Sequence, residues 1–430
     1  MLRSRIDWLE RQLRVYLAAF WILLLLTVGS FFIYVCFREE WKFGVRRVKQ
    51  ETENEVSGTR TGSGIKKTLV DMPQVSFTRH GFPIEAVGVC PNNPNQFVSC
   101  CQEGRVYVWN SVTGERIHRL NRVRSVSDQD TDSLIRVWCL QLKDDTLVMG
   151  CADGAVEIAS VSRNKLIGVF TQSPIGVSHI EFSNDYIAVC RLDGTIDFVR
   201  IVFEQDHQRL QRIEQIITVR AHQKPICRTI VYNSLEPRLI TGSLNRTIKT
   251  FNMKTGQLIN VLLAHNTPIV NLVADTDSLT LFSSCEDGIL CWWNLVTGEL
   301  LRTVDHNHSG TLRLAVTPTY LLGFYSSAQL CLWDRNTGQL ACRVAEASTD
   351  IFADSSSASE GDVIVALNAN TVATSSGTHV IFWELQRKAI IRQIAVGRTI
   401  SSIKKLDDST ILCIAGNSMF AVTVPVAKID

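Results

Sequence analysis

The chain of 430 residues is 45% hydrophobic and 20% charged, with a formal net charge of +2. This much apolar material and this little charge exclude a disordered chain. Near-neutral charge without a basic stripe argues against a nucleic-acid binder, and the length admits either several domains or one large all-β domain.

In chain order, residues 1–14 are a short flank carrying Arg3, Arg5, Arg11 and Arg14. Residues 15–37 then run without a charge. As a helix this stretch is about 34 Å long, which predicts one transmembrane span. Tyr16, Phe20 and Trp21 sit towards one end, and Phe32, Tyr34 and Trp41 towards the other, as interfacial aromatics do. A signal peptide would have a shorter apolar run and a small-x-small cleavage site, whereas this run ends Val35-Cys36-Phe37-Arg38. The flanking charges do not orient the span. Residues 38–73 mix charge with Thr, Ser and Gly and are expected to be a flexible juxtamembrane linker. Gly62, Gly64 and Lys66 lack the spacing of a phosphate loop.

Thirteen cysteines are scattered through the chain without a C-x-x-C pair. An odd count without framework spacing predicts free thiols in a reducing compartment, which would put the downstream part in the cytosol. The sequons at Asn245 and Asn307 are then expected to be bare. Cys285 and Cys291 are too far apart for a zinc pair, and His306 and His308 stand without further ligands. No metal, no cofactor and no catalytic residue is expected.

From residue 74 to 430 the pattern is short strands broken by turns. One unit recurs: a turn, a strand of about five residues, then an aromatic followed by an acid or amide. It ends at Trp109-Asn110, Trp293-Asn294, Trp333-Asp334 and Trp383-Glu384, with weaker copies ending at Ala159, Val199 and Phe251. Thr-Gly turns follow four copies, at Gly114, Gly256, Gly298 and Gly338. A period near 40 to 45 residues with such ends, the longer gaps being loop insertions, predicts an all-β WD-repeat propeller of four-stranded blades. Eight blades are preferred and seven are the alternative. The eighth would take strands from residues 400–406, 410–415 and 419–424, completed by an outer strand at 75–79.

His265, Ser283, Asp287 and Trp293 fit a structural hydrogen-bond tetrad inside a blade, and His222, Thr241, Asn245 and Phe251 a degraded copy. Repetition argues against a hydrolase triad, because catalysis needs one site whereas a buried network is needed in every blade.

Three segments carry a family resemblance: Ala221–Ile226, Ala188–Phe198 and Val422–Asp430. They resemble the C-terminal propeller of the sterol regulatory element-binding protein cleavage-activating protein family, and a last membrane span before a propeller fits the same pattern. The resemblance implies an escort. Its cytosolic propeller would hold the C-terminal regulatory domain of a membrane-bound sterol-responsive transcription factor precursor (SREBP), in the endoplasmic reticulum membrane and cycling to the Golgi. That family has eight spans where one is predicted here, so partner binding carries over and sterol sensing does not.

Two basic groups are candidates for the partner surface: Arg200, Arg209, Arg212, Arg220, Lys224 and Arg228, and then Arg387, Lys388, Arg392, Arg398, Lys404 and Lys405. Solvated loop charge is the plainer reading of both. The insertion 119–132, with Arg122, Arg124, Ser125 and Ser127, is a candidate phosphorylation loop. The rival function is a membrane-tethered exchange factor for a small GTPase in vesicle budding. Known examples carry the anchor after the propeller, not before it.

Overall fold

The computed structural model describes residues 75–90, 93–123, 135–203, 210–233, 236–305, 311–325, 329–345 and 363–424. Among these no helix is long and apolar enough to cross a membrane, and the span expected at 15–37 lies outside them. All the described residues belong to one compact unit, 68–430.

The described residues form eight four-stranded antiparallel sheets, each taking its strands in sequence order apart from the last. Blades 1 to 7 span 84–119, 137–170, 177–220, 226–262, 269–304, 312–345 and 364–395. Blade 8 takes Ser402–Lys405, Thr410–Ala415 and Ser418–Thr423 and completes itself with Val75–Ser76. The structure therefore has eight blades. The aromatic-ended units of the sequence are the third strands, for example Leu290–Asn294 and His379–Glu384.

These strands are buried on both faces, so they read as apolar runs. Because side chains alternate across a strand, each third strand serves two seams. Cys291 and Trp293 pack towards blade 4, whereas Leu290 and Trp292 pack towards blade 6. The eight hydrophobic clusters are the eight seams between neighbouring blades. One joins Leu412 and Ile414 of blade 8 to Phe97 and Trp109 of blade 1, so the ring closes on apolar contact. Closure removes the free faces that a lone blade would expose.

The residue after the closing aromatic terminates the strand. Asn110, Asn294 and Asp334 each use Oδ1 to accept the amides two and three positions on. Glycine then follows with positive φ, +77° at Gly298 and +66° at Gly338, where a side chain would be strained.

Blade 8 ties the two ends of the described chain together. Val75 pairs with Ala421 and Ser76 with Phe420. Phe77 inserts edge-on against Phe97 and Trp109, with ring centroids 5.0 and 5.9 Å away. Asn417 Nδ2 donates to His80 O at 3.2 Å.

Candidate functional site

Three features could carry function: the polar groups inside the blades, the channel lined by the first strands, and the charged loops at the two ends of the ring.

Inside blade 5, Trp293 Nε1 donates to Ser283 Oγ at 2.8 Å, and His265 Nε2 lies 2.7 Å from the same oxygen. Asp287 does not join them: it is exposed, and His265 Nδ1 has no hydrogen-bond partner. The expected tetrad is a three-residue chain, because Asp287 sits in the turn, where its amide donates to Thr267 Oγ1. Blade 1 repeats the chain through His80, Ser99 and Trp109, at 2.7 Å for both links. That copy was missed in the sequence, although His80 precedes Ser99 by 19 residues, as His222 precedes Thr241. Phe251 has no donor, so the blade 4 chain stops at Thr241, with His222 Nε2 2.8 Å away. Burial lowers His80, His222 and His265 to about 4, so all three are neutral at physiological pH. In each of the three, Nε2 lies against a buried hydroxyl within the blade, the arrangement of a structural network.

Blades 2 and 3, which have Ala159 and Val199 where blades 1 and 4 to 7 have the closing aromatic, use another device. Met149 and Val189 occupy the register of Ser283, and their partners across the sheet are Glu157 and Asp197. Arg122 donates to Glu157 from Nε at 2.7 Å and from Nη2 at 3.0 Å, and Arg191 Nε donates to Asp197 at 2.7 Å. All four side chains are within 2% of full burial. Arg191 Nη1 also donates to Ile175 O at 2.7 Å and Gly154 O at 3.0 Å, and Arg122 Nη1 to Ile135 O at 3.0 Å. Arg122 is therefore an internal ion-pair residue, not part of an exposed phosphorylation loop. Arg124, Ser125 and Ser127 lie outside the described residues.

The first strands wall a central channel of about 690 Å³. Register places its side chains in layers. Across from Cys190, Gly242, Ser284 and Phe324 stand His179, Arg228, Asn271 and Arg313, on consecutive blades 3 to 6. Cys139 and Val363 line the facing wall. Two residues further along, Glu181 and Lys404 face the next layer. Arg228 Nε and Arg313 Nη1 donate to one shared carbonyl, Val270 O, at 3.2 Å each. Thr229 Oγ1 donates to Glu181 Oε1 at 2.7 Å, and Gln141 Nε2 to Oε2 at 3.5 Å. Burial pushes the Glu181 carboxyl above its ordinary range, with those hydrogen bonds and Lys404 opposing. Burial, aided by the Arg228 charge, lowers His179 to about 4. The lining thus carries four cations, Arg228, Arg313, Lys404 and Lys405, against one carboxylate, Glu181.

The two basic groups of the sequence are not two patches. Arg228 and Lys404 line the channel. Arg220, Lys224 and Arg398 lie at the end of the ring where fourth strands cross to the next blade. There Arg398 Nη1 donates to Asn417 Oδ1 and Ser418 Oγ at 3.1 Å. Arg200 and Arg212 lie towards the opposite end, on the long hairpin of Thr195–Phe203 and Leu210–Arg220. Arg200 covers the Tyr186 ring at 5.9 Å, and Arg212 pairs with Glu214 at 2.5 Å. Lys405, the last residue of the strand Ser402–Lys405 and also in the channel lining, lies at that end too and pairs with Asp408 at 2.7 Å. Arg209 lies outside the described residues, as do His306 and His308. Antiparallel strands explain the split, since charges close in sequence fall at opposite ends of a blade.

Among the described residues no group of three or more His, Cys, Asp or Glu is placed to hold a metal ion. Twelve described cysteines are free and nine of them are buried. Burial raises Cys100 and Cys413 to about 12, which makes them inert thiols.

The WD domain, G-beta repeat family model matches residues 256–294, the stretch holding His265, Ser283 and Trp293. The fold is an eight-bladed WD-repeat propeller. The sterol regulatory element-binding protein cleavage-activating protein of Xenopus laevis is 23% identical over 354 residues, covering 76% of this chain. The chain spans only 26% of that relative's length. Among solved structures, Saccharomyces cerevisiae Sqt1 superposes with a TM-score of 0.66 at 14% identity, covering 83% of this chain and 100% of Sqt1. The Dos1 propeller gives 0.63 at 14% identity, covering 82% and 94%. These two likenesses carry the fold alone.

Proposed function

We propose that the chain is a non-catalytic, protein-binding propeller of the escort type, which holds the C-terminal regulatory domain of a sterol-responsive transcription factor precursor. The observation that supports this best is the reach of its similarity to the Xenopus cleavage-activating protein, 76% of the chain, against a repeat match confined to residues 256–294. Other repeat proteins match at similar identity, 21–28%, but over 25–56% of the chain. In this reading the propeller faces the cytosol and residues 15–37 hold it in the endoplasmic reticulum membrane, from which it cycles to the Golgi. The buried free thiols fit such a reducing side.

The docking surface in this reading is the end bearing Arg220 and Lys224. Both are exposed there, whereas Arg212 is tied to Glu214 and Arg200 covers an aromatic ring. Co-precipitation of the full chain with the regulatory domain of the precursor tests it. Charge reversal at Arg220 and Lys224 is expected to weaken retention by about tenfold or more, and reversal at Arg200 and Arg212 to leave it near wild type. Retention abolished only by the second pair moves the surface to the other end of the ring. No retention by a folded wild-type chain overturns the escort reading.

A further inference from the structure

Blades 1 to 5 turn from second strand to third in the same way: the first residue of the turn donates its amide to the carbonyl just before that blade's first strand. This gives one equivalent position per blade, at the end of the ring that bears Lys224, and Gln102, Ala152, Leu192, Leu244 and Glu286 hold it. Turn residues are ordinarily polar or small. Blades 3 and 4 instead present leucines there, 42% and 38% exposed. Leu192 donates to Gly176 O at 3.1 Å, which sets it beside Ile175, itself 36% exposed. Leu244 donates to Pro225 O at 3.1 Å, which sets it beside exposed Lys224. Single exposed apolar residues are ordinary, but neighbouring ones mark an interaction site.

The backbone under these side chains is fixed. Arg191 Nη1 holds Ile175 O at 2.7 Å, the His222 amide donates to Gly194 O at 3.0 Å, and Ser243 Oγ donates to Lys224 O at 3.2 Å. A β-carbon on Gly194 would come within 2.7 Å of Lys224 O, so the turn of Leu192 lies directly against the loop of Lys224. A surface held in place loses little freedom when a partner covers it. Its surroundings set the sign of that partner. Lys224, Arg246 and Arg220 are exposed here, whereas the Asp193 carboxylate accepts from the Thr195 amide at 3.0 Å and hydroxyl at 2.8 Å. On blade 5 exposed Glu286 and Asp287 close the patch to carboxylates.

We propose that Ile175, Leu192 and Leu244 are the apolar anchors of the docking surface. They receive an acidic amphipathic segment, whose apolar side chains cover them while its carboxylates meet Lys224 and Arg246. This rests on the placing of the partner surface at this end of the ring, and not on which protein the partner is.

Photo-crosslinking of the full chain in cells tests the proposal, with benzoylphenylalanine in place of exposed Gln223 and, as control, of exposed Lys165 on the outer strand of blade 2. A crosslink is expected at the first position and not the second. The captured peptide, sequenced by mass spectrometry, should combine apolar residues with Asp or Glu. Retention of the captured protein should fall at least about tenfold in L192S/L244S at an unchanged melting temperature, and should survive in L192M/L244M. K224E/R246E should weaken it as well. Capture of the precursor's regulatory domain supports both this surface and the escort reading. Capture of an acidic amphipathic segment of another protein keeps the surface and overturns the escort reading. The precursor's domain retained equally by wild type and L192S/L244S does the reverse. No crosslink at Gln223 in a folded chain, or a captured segment without carboxylates, overturns the proposal.

Discussion

Glu157 and Asp197 occupy the same register position on the third strands of neighbouring blades, and each binds a buried arginine there. The equivalent position holds Tyr107 in blade 1, Lys249 in blade 4 and Cys291 in blade 5. Blades 2 and 3 lack both the hydroxyl residue and the closing tryptophan, so an ion pair fills the space that the His–Ser–Trp chain fills elsewhere. The arginines also bond to loop carbonyls, which ties the strand to the connections at the end of the blade.

Removing one partner of such a pair strands a buried charge. Glu157→Ala and Asp197→Ala are each expected to cost about 3–5 kcal/mol of stability, read from chemical denaturation of the full chain. Replacing both members, as in R122M/E157L, should cost far less and come close to neutral. Equal losses in the single and double variants would sink the account.

In blade 5, Ser283 bridges His265 and Trp293, so Ser283→Ala leaves two buried groups without their hydrogen-bond partner. The expected loss is about 1–3 kcal/mol. Thr241→Ala in blade 4 should cost less, because Phe251 makes no demand on that oxygen. Paired thermal melts decide the order.

The buried histidines give the propeller an acid-sensitive window. His80, His222 and His265 are lowered from 6.5 to about 4 in the fold. Their neutral forms are favoured by folding, so that stability is complete above pH 6.5 and is lost progressively as pH falls towards 4. Glu181, whose carboxyl is raised, works in the other direction, since its protonation relieves a buried charge. Melting temperature should therefore fall between pH 6.5 and 4, and His265→Gln should flatten that fall relative to wild type. An identical slope in the variant would remove His265 from the explanation.

Phe77 is 5% exposed and packs on Phe97 and Trp109 at the seam between blades 8 and 1. Phe77→Ala is expected to cost about 3–5 kcal/mol and to open that seam first. Hydrogen exchange would report it as early loss of protection in residues 402–423.

The blades were legible because the third strands of blades 1 and 4 to 7 announce themselves by an aromatic, an acid or amide and a turn, all local signals. Even the strand shared between the chain ends followed from counting three strands after Trp383. The ion pairs were not legible. Arg122 and Glu157 stand 35 residues apart, and an arginine beside a serine-rich stretch looks like a surface charge. Asp287 misled for the opposite reason: its spacing fitted, but the side chain points away from His265. The channel cations come from three blades and meet only through register. Nothing in the local sequence distinguishes Arg228 in the channel from Lys224 on the rim.

The seam made by the first strand also sets a clock. His80 and Asn417 are 337 residues apart, yet they meet in one hydrogen bond. At 5–20 residues per second the ribosome takes roughly 17–70 s to make the intervening chain. Through that interval Phe77 and the adjoining strand have no blade to join, while blades 1 to 7 can already stack on one another. The nascent chain is then an open arc with an apolar surface at each end. Ring closure is its last event, and the interval before it is when a chaperone, or a second unfinished copy, has access to those surfaces.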